Sequence, residues 1–283
     1  MDTASTNEIQ EIIDIGRSHS FDFAVYDATF LQKTIEKRMS AAQIGCVGDY
    51  CLRMRESPAE AETLFRSLYV QFSVFFREPL SFALLEQSVI PGLVADAPAN
   101  GELRVWSAGC AFGQEAYSLA MLLDEQMKKA GKPLRYRIFA TDVSEGALSF
   151  ARRGVYPPAD VQNVKQRHLG AYFIRQGEEY AVIPRLKRGV GFTRYDVLDA
   201  ASANPPESIF GNFDIVSCCN LMMYYGPEAR LMILHKLEES LSPAGRLIVG
   251  ETERAFVERN TALDMLCVPA AVFRKASGRK NRR

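Results

Sequence analysis

The stretch that decides the fold is Leu103-Arg104-Val105-Trp106-Ser107-Ala108-Gly109-Cys110-Ala111-Phe112-Gly113-Gln114-Glu115-Ala116-Tyr117-Ser118, continuing to Leu123. Leu103 to Trp106 reads as a short buried strand, Ser107 to Gly113 as a small-residue turn, and Gln114 onward as an apolar-periodic helix. A strand that runs into a glycine-bearing turn and then a helix holds a nucleotide-like ligand in a three-layer α/β sheet. The glycines let the backbone come close, and the carboxyl edge of the sheet provides the crevice. The turn carries only Gly109 and Gly113, short of a three-glycine dinucleotide fingerprint. Glu115 follows where a pyrophosphate would be repelled.

Working outward, the alternation of strand and helix continues after residue 103, the pattern of a parallel sheet. Arg135 to Thr141 reads as a second strand ending at Asp142, and Ser144 to Arg153 as a helix. An acid at that strand end is placed to accept hydrogen bonds from two ribose hydroxyls, or to cap the next helix, or both. Residues 155–192 interrupt the alternation with a turn-rich run and two short β-like runs about Gln176-Gly177, which predicts a small inserted β-subdomain. Val190 to Tyr195 and Phe213 to Cys218 return to the sheet. The second of these leads to Asn220, whose amide offers both a donor and an acceptor to a ligand. Pro227 opens a helix to about Leu241, Ser242 to Gly245 is a turn, and a strand and terminal hairpin end the pattern.

Before residue 100 no strand signal occurs. Tyr26 to Ala42 reads as an amphipathic helix with Lys33, Lys37 and Arg38 on its polar face. Ser57-Pro58-Ala59-Glu60 reads as a capping box. A helix from Pro79 to about Val89 leads through a Pro/Gly/Ala/Asn segment, 91–101, to the central strand. Between them, Arg77 is hemmed in by Phe72, Phe75 and Phe76, and so needs an anionic partner or a way out to water.

The chain has 283 residues, 47% apolar and 24% charged, the composition of an ordinary globular protein. No apolar run approaches the roughly 20 residues that span a bilayer, and the polar opening predicts no signal peptide, hence a cytoplasmic chain. Six cysteines without regular spacing read as reduced thiols, and three histidines without clustered ligands predict no metal site. Net charge is zero, yet the last ten residues, RKASGRKNRR, carry six positive side chains and no acid. That run reads as a solvated tail or a contact for an acidic partner; nothing points to nucleic acid.

Five motifs in order resemble the CheR family of chemotaxis-receptor methyltransferases over about residues 12–275. They are Ser73-Val74-Phe75-Phe76-Arg77-Glu78-Pro79, Trp106 to Ser118, Ala140-Thr141-Asp142, Phe213 to Tyr225 and Leu241 to Glu253. The resemblance implies a helical N-terminal domain over 1–78 and an α/β, Rossmann-like class I methyltransferase domain over 79–283, with the β-subdomain of about 155–192 inserted in it. It implies S-adenosyl-L-methionine as cofactor, S-adenosyl-L-homocysteine as product, and glutamate side chains on the cytoplasmic domains of chemoreceptors as acceptors. By position, Ser73, Arg77, Gly109, Glu115, Asp142, Asp196, Val197, Asn220 and Leu221 fall where the family meets its cofactor, and Arg77 and Tyr224 fall at the reacting end. A cationic sulfonium with a single ribose also suits Glu115 better than a pyrophosphate does.

The chain departs from the family pattern at Phe112, Gln114, Asp196 and Cys219. Phe112 in particular predicts bulk close to the cofactor. The insertion looks short for a docking site for a receptor's C-terminal pentapeptide, so tethering is not expected. A glutamate of pKa ~4.3 is already ionised at neutral pH, so methyl transfer needs alignment and water exclusion but no general base. Two other readings remain: a cofactor-binding interaction protein with little catalysis, and a methyltransferase with another acceptor.

Overall fold

The computed structural model describes residues 6–208 and 210–275. The start of the chain and most of the basic tail, 276–283, lie outside the described residues. The described residues fall into two compact units, one of residues up to Val70 together with Met223–Leu231, the other of Gln71–Met222 together with Met232 onward.

The first unit is helical, with helices Thr6–Ser18, Ala28–Ala41, Val47–Glu56 and Pro58–Ser67. Asp27 caps the second of these, its carboxylate accepting the Phe30 N–H at 3.0 Å. Ile12, Leu31, Ile35, Tyr50, Met54 and Leu64 make its core. The expected capping box at Ser57 does not form: Ser57 makes no side-chain cap bond. Glu60 instead turns inward to Arg38, at 2.7 and 3.0 Å, and to the Tyr50 hydroxyl at 3.2 Å. Met223–Leu231 is stapled to these helices: Tyr225 stacks on Tyr26 at 5.2 Å, and Gly226 N–H donates to Val25 O at 2.8 Å.

The second unit is a mixed α/β sheet with flanking helices. Its strands are β1 (Glu102–Ala108), β2 (Arg135–Asp142), β3 (Val155–Tyr156), β4 (Phe173–Gln176), β5 (Glu179–Val182), β6 (Val190–Arg194), β7 (Phe213–Cys218), β8 (Leu241–Val249), β9 (Asp264–Cys267) and β10 (Ala270–Arg274). Seven of them form one sheet in the order β6-β2-β1-β7-β8-β10-β9. The strands from β6 through β8 pair parallel, and β10 pairs antiparallel with both β8 and β9. Strands buried on both faces read as near-continuous apolar runs, and the centre of β1 is of this kind, with Val105 and Trp106 fully buried. Trp106 satisfies its one polar atom by donating Nε1–H to Thr141 Oγ1 at 2.9 Å, which ties β1 to β2.

The chain proceeds outward from β1 to β2 and β6, then returns to the other side of β1 to lay down β7 and β8. The carboxyl ends of β1 and β7 are therefore a topological switch point, where an open α/β sheet leaves a crevice. Helix Gln114–Ala130 begins there and is buried along most of its length. Gly113 precedes it at φ +88°, and a Cβ on it would meet Ala151 at 2.9 Å, so only glycine suits the turn.

Three local expectations change. Residues 91–96 are helical: Pro79–Leu84 passes through a π-turn, Leu85–Val89, into Ile90–Asp96. The proline at 91 is tolerated because the wide turn has already broken the regular hydrogen-bond ladder there. The inserted region holds helix Gln166–Tyr172 as well as strands, and β3, β5 and β4 form its three-stranded sheet. Leu241 pairs with Phe213, so β8 begins where a turn was expected, with an irregularity in register before Arg246.

Candidate cofactor crevice

The turn after β1 is pinned from β2. Gly109 and Cys110 N–H both donate to Thr141 O, at 2.8 and 2.9 Å. The Ala111 N–H donates to Asp142 Oδ2 at 2.9 Å. Asp142 Oδ1 accepts Ser144 N–H at 2.9 Å, so its carboxylate joins two segments and keeps lone pairs for further donors. Burial pushes its carboxyl above the usual range, while the backbone N–H groups of Ser144, Ala111 and Val143 pull the other way.

Across the turn from Asp142 stands Glu115, at the start of the helix. Its Oε1 accepts Ser107 Oγ–H at 2.7 Å, and the Cys219 thiol also donates to it. Burial pushes this carboxyl up, opposed by the bonds from Ser107, Cys219 and Ser217 and by the Arg77 charge. A desolvated carboxyl of this kind is an invitation to a cationic ligand.

Ser73, Arg77, Gly109, Glu115 and Cys219 line one crevice. Arg77 has no carboxylate partner among the described residues. Its guanidinium lies over the Phe72 ring at 5.1 Å and donates to Phe72 O at 3.3 Å. Arg77 and Phe82 also border a neighbouring cavity of about 320 Å³ with Phe76, Glu86 and Lys165. Phe76, next to Arg77, holds φ +53°, a costly conformation for a bulky residue, on the order of 1–3 kcal/mol.

On the β7 side, Asn220 sits at φ +58° just past the strand. Its N–H and that of Gly250 donate to the same oxygen, Glu253 Oε2, at 2.9 and 3.0 Å. Asn220 Oδ1 is buried without a hydrogen-bond partner among the described residues. Leu221 packs over Gly109, where a Cβ would meet it at 3.0 Å; Gly109 itself holds φ +70°. The carboxyl ends of β1 and β7 thus meet through Leu221 and Gly109.

Asp196 and Val197 are not among the residues that line that crevice. Asp196 is exposed and its Oδ1 accepts Leu198 N–H at 2.9 Å, closing a local turn, with Val197 buried beside it. Tyr224 belongs to the first unit, where its ring lies 4.9 Å from Phe30 and its carbonyl accepts Asp27 N–H at 2.9 Å. Phe112 does not add bulk to this lining. Its ring packs on Phe150 at 5.0 Å, and its carbonyl accepts the Tyr156 hydroxyl at 2.7 Å. Gln114 is buried, with Nε2 donating to Asp160 Oδ2 at 3.3 Å and Oε1 without a partner. Sequence reasoning missed Ser107, Ser217 and Glu253 as supports of the site. The acid three residues after Gly250 was the only local signal for the last.

These residues suit S-adenosylmethionine on their donor set: a desolvated acid for its cationic end, an unpaired arginine for its carboxylate, a strand-end acid for its ribose diol and an orphaned amide oxygen for a donor. Among the described residues no helix is long and apolar enough to cross a membrane.

Comparison with known proteins agrees. The family model described as "CheR methyltransferase, SAM binding domain" matches residues 71–271. Chemotaxis protein methyltransferase 1 of Pseudomonas aeruginosa is 30% identical over 251 residues, 85% of this chain and 87% of that protein. An uncharacterized 104.1 kDa protein of Rhodobacter capsulatus is 33% identical over 245 residues, 87% of this chain, and the chain spans only 25% of that protein's length. A solved structure, PKMT2 from Rickettsia typhi in complex with AdoHcy, is more remote, with a TM-score of 0.37 and 14% identity over 64% of this chain and 26% of that one. With the family model covering most of its length and its glycine turn lying inside the match, the chain belongs to the CheR methyltransferase family.

Proposed function

We propose that the protein transfers the methyl group of S-adenosylmethionine to glutamate side chains on chemoreceptor cytoplasmic domains, forming methyl esters. The carrying observation is the pairing, in one crevice, of a half-buried acid, Glu115, with an arginine, Arg77, that has no carboxylate partner among the described residues. The relative named for chemotaxis, matching most of this chain, supports the acceptor class.

Bound S-adenosylmethionine supplies a sulfonium-activated methyl group. The protein's residues supply position and charge. Asp142 takes the ribose hydroxyls on the lone pairs left free by Ala111 and Ser144. Glu115, braced by Ser107 and Cys219, faces the cationic part of the cofactor. Asn220 offers its unpartnered Oδ1 to a donor, and Asp196 and Val197 are assigned to the adenine side. Arg77 neutralises a carboxylate, and Tyr224 is assigned to the acceptor. An ionised glutamate needs no base, so alignment and exclusion of water carry the rate.

The test is labelled-methyl transfer to receptor cytoplasmic fragments, followed by mild base. Base-labile label that falls sharply, to a measurable residual level, with Arg77→Ala supports the proposal. Base-stable label means a different acceptor, and tight cofactor binding without transfer to any extract protein means a non-enzymatic binder.

A further inference from the structure

The segment that carries Arg77 is held from the inserted subdomain. Phe76 immediately precedes Arg77 and holds a left-handed backbone, φ +53°, which a phenylalanine keeps only when its surroundings over-determine it. Three contacts do so. The Phe76 N–H donates to Ser118 Oγ at 3.1 Å, and Ser118 Oγ–H donates to Gln114 O at 2.7 Å, which fixes the segment to the central helix. The Phe76 ring meets Phe82 edge-on at 5.3 Å. Its face lies on the imidazole of His168 at 5.6 Å, with only 22° between the planes.

His168 is itself fixed. It is 2% exposed, on helix Gln166–Tyr172 of the inserted region, and its Nε2 lies 2.8 Å from Glu125 Oε2. Its Nδ1 has no hydrogen-bond partner among the described residues. One hydrogen bond orients the ring, and one of its faces packs against Phe76. Neither His168 nor Glu125 lines the crevice that holds Arg77.

We propose that His168 is a positioning residue for Arg77: by stacking on Phe76 it holds the left-handed turn that directs the next side chain into the crevice. The inserted subdomain thereby sets the geometry of the arginine used in methyl transfer, a consequence that rests on the function proposed above. A flat ring at 168 is the requirement, and the Glu125 bond serves to orient it.

The direct readout is the Arg77 Nε–Hε signal in a nitrogen-15 spectrum, assigned by its loss in Arg77→Ala. This readout does not depend on any activity. His168→Ala is expected to shift or broaden that signal and to lower methyl transfer about tenfold, whereas His168→Phe keeps both near the parent. In an Arg77→Ala background, His168→Ala is expected to cause no further loss. An unmoved Arg77 signal in folded His168→Ala overturns the proposal, as does an equal loss of transfer in both backgrounds. If His168→Ala does not fold, His168→Leu, which also removes the flat ring, takes its place, and an undisturbed signal in it overturns the proposal equally. If Arg77→Ala is silent in transfer while its signal still follows residue 168, the functional reading falls and the positioning relationship stands.

Discussion

Ser107 Oγ donates to Glu115 Oε1 at 2.7 Å, across the turn that joins β1 to the central helix. The bond orients a carboxyl that burial pushes above its usual range. A group whose folded-state pKa is raised contributes stability below its unfolded pKa of ~4.3, and loses it as pH rises through the folded value. At neutral pH the raised carboxyl of Glu115 therefore costs stability until a cation arrives. Glu115→Gln is expected to raise the thermal midpoint of the ligand-free protein. The same change is expected to weaken S-adenosylmethionine binding roughly ten- to hundredfold, the value of a hydrogen bond to a charged group. Calorimetric titration and a thermal melt check both signs, and unchanged affinity removes Glu115 from the site.

Asp142 has a double task, so its variants should separate two effects. Asp142→Asn leaves one oxygen for Ala111 or Ser144 and turns an amide N–H₂ toward the other donor. Asp142→Ala leaves both N–H groups without it. Both are expected to weaken cofactor binding at least tenfold, with the alanine variant losing more stability, about 1–3 kcal/mol per unsatisfied donor. Equal stability in the two variants would show that the turn does not need the carboxylate.

The thiols should react in two classes. Burial raises the Cys110, Cys218 and Cys219 thiols well above the usual range, with nearby Glu115 contributing, which keeps them neutral and unreactive. Cys46 and Cys267 are exposed. With iodoacetamide at pH 8, site-resolved mass spectrometry should find modification at Cys46 and Cys267 first. Cys219 should lag, and lag further when S-adenosylmethionine is present. Cys219→Ser should retain binding, because a hydroxyl also donates to Glu115.

Acid should act on the helical unit through Glu60. Burial pulls its carboxyl up, but the Arg38 hydrogen bond and charge, with Tyr50, outweigh it and leave the pKa lowered. A lowered pKa contributes stability above the unfolded value of ~4.3 that is lost as pH falls through the folded value. Glu60→Gln is expected to destabilise that unit by about 3 kcal/mol at pH 7 and to flatten its pH dependence below ~4.3. Trp106, the only tryptophan in the chain, lies in the other unit. Helical circular dichroism should therefore change while Trp106 fluorescence holds.

The sheet was legible because its evidence is local: β1 and β7 are short apolar runs, and Gly109 and Gly113 mark the turn. Arg77, Glu115, Asp142 and Asn220 stand out as candidates for a similar reason, at strand ends and in motifs. What escaped was decided by partners far along the chain. Glu60 looked like a cap because its use by Arg38, 22 residues away, has no local signature. The packing of the Phe112 ring on Phe150 has no local signature, because Phe150 lies on a helix further along the chain. Residues 91–96 looked like a linker because a π-turn that accommodates Pro91 cannot be read from composition.

The Glu253 bond to Asn220 and Gly250 bears on how this protein can change over time. A Cβ at residue 250 would lie 2.4 Å from the Asn220 amide nitrogen, and both backbone N–H groups share one Glu253 oxygen. Replacing Gly250 alone drives a Cβ into the Asn220 side chain, and replacing Glu253 alone strands two backbone donors. Residues 220 and 250 are thus bound by epistasis: a side chain enters at 250 without damage only after, or together with, a smaller residue at 220.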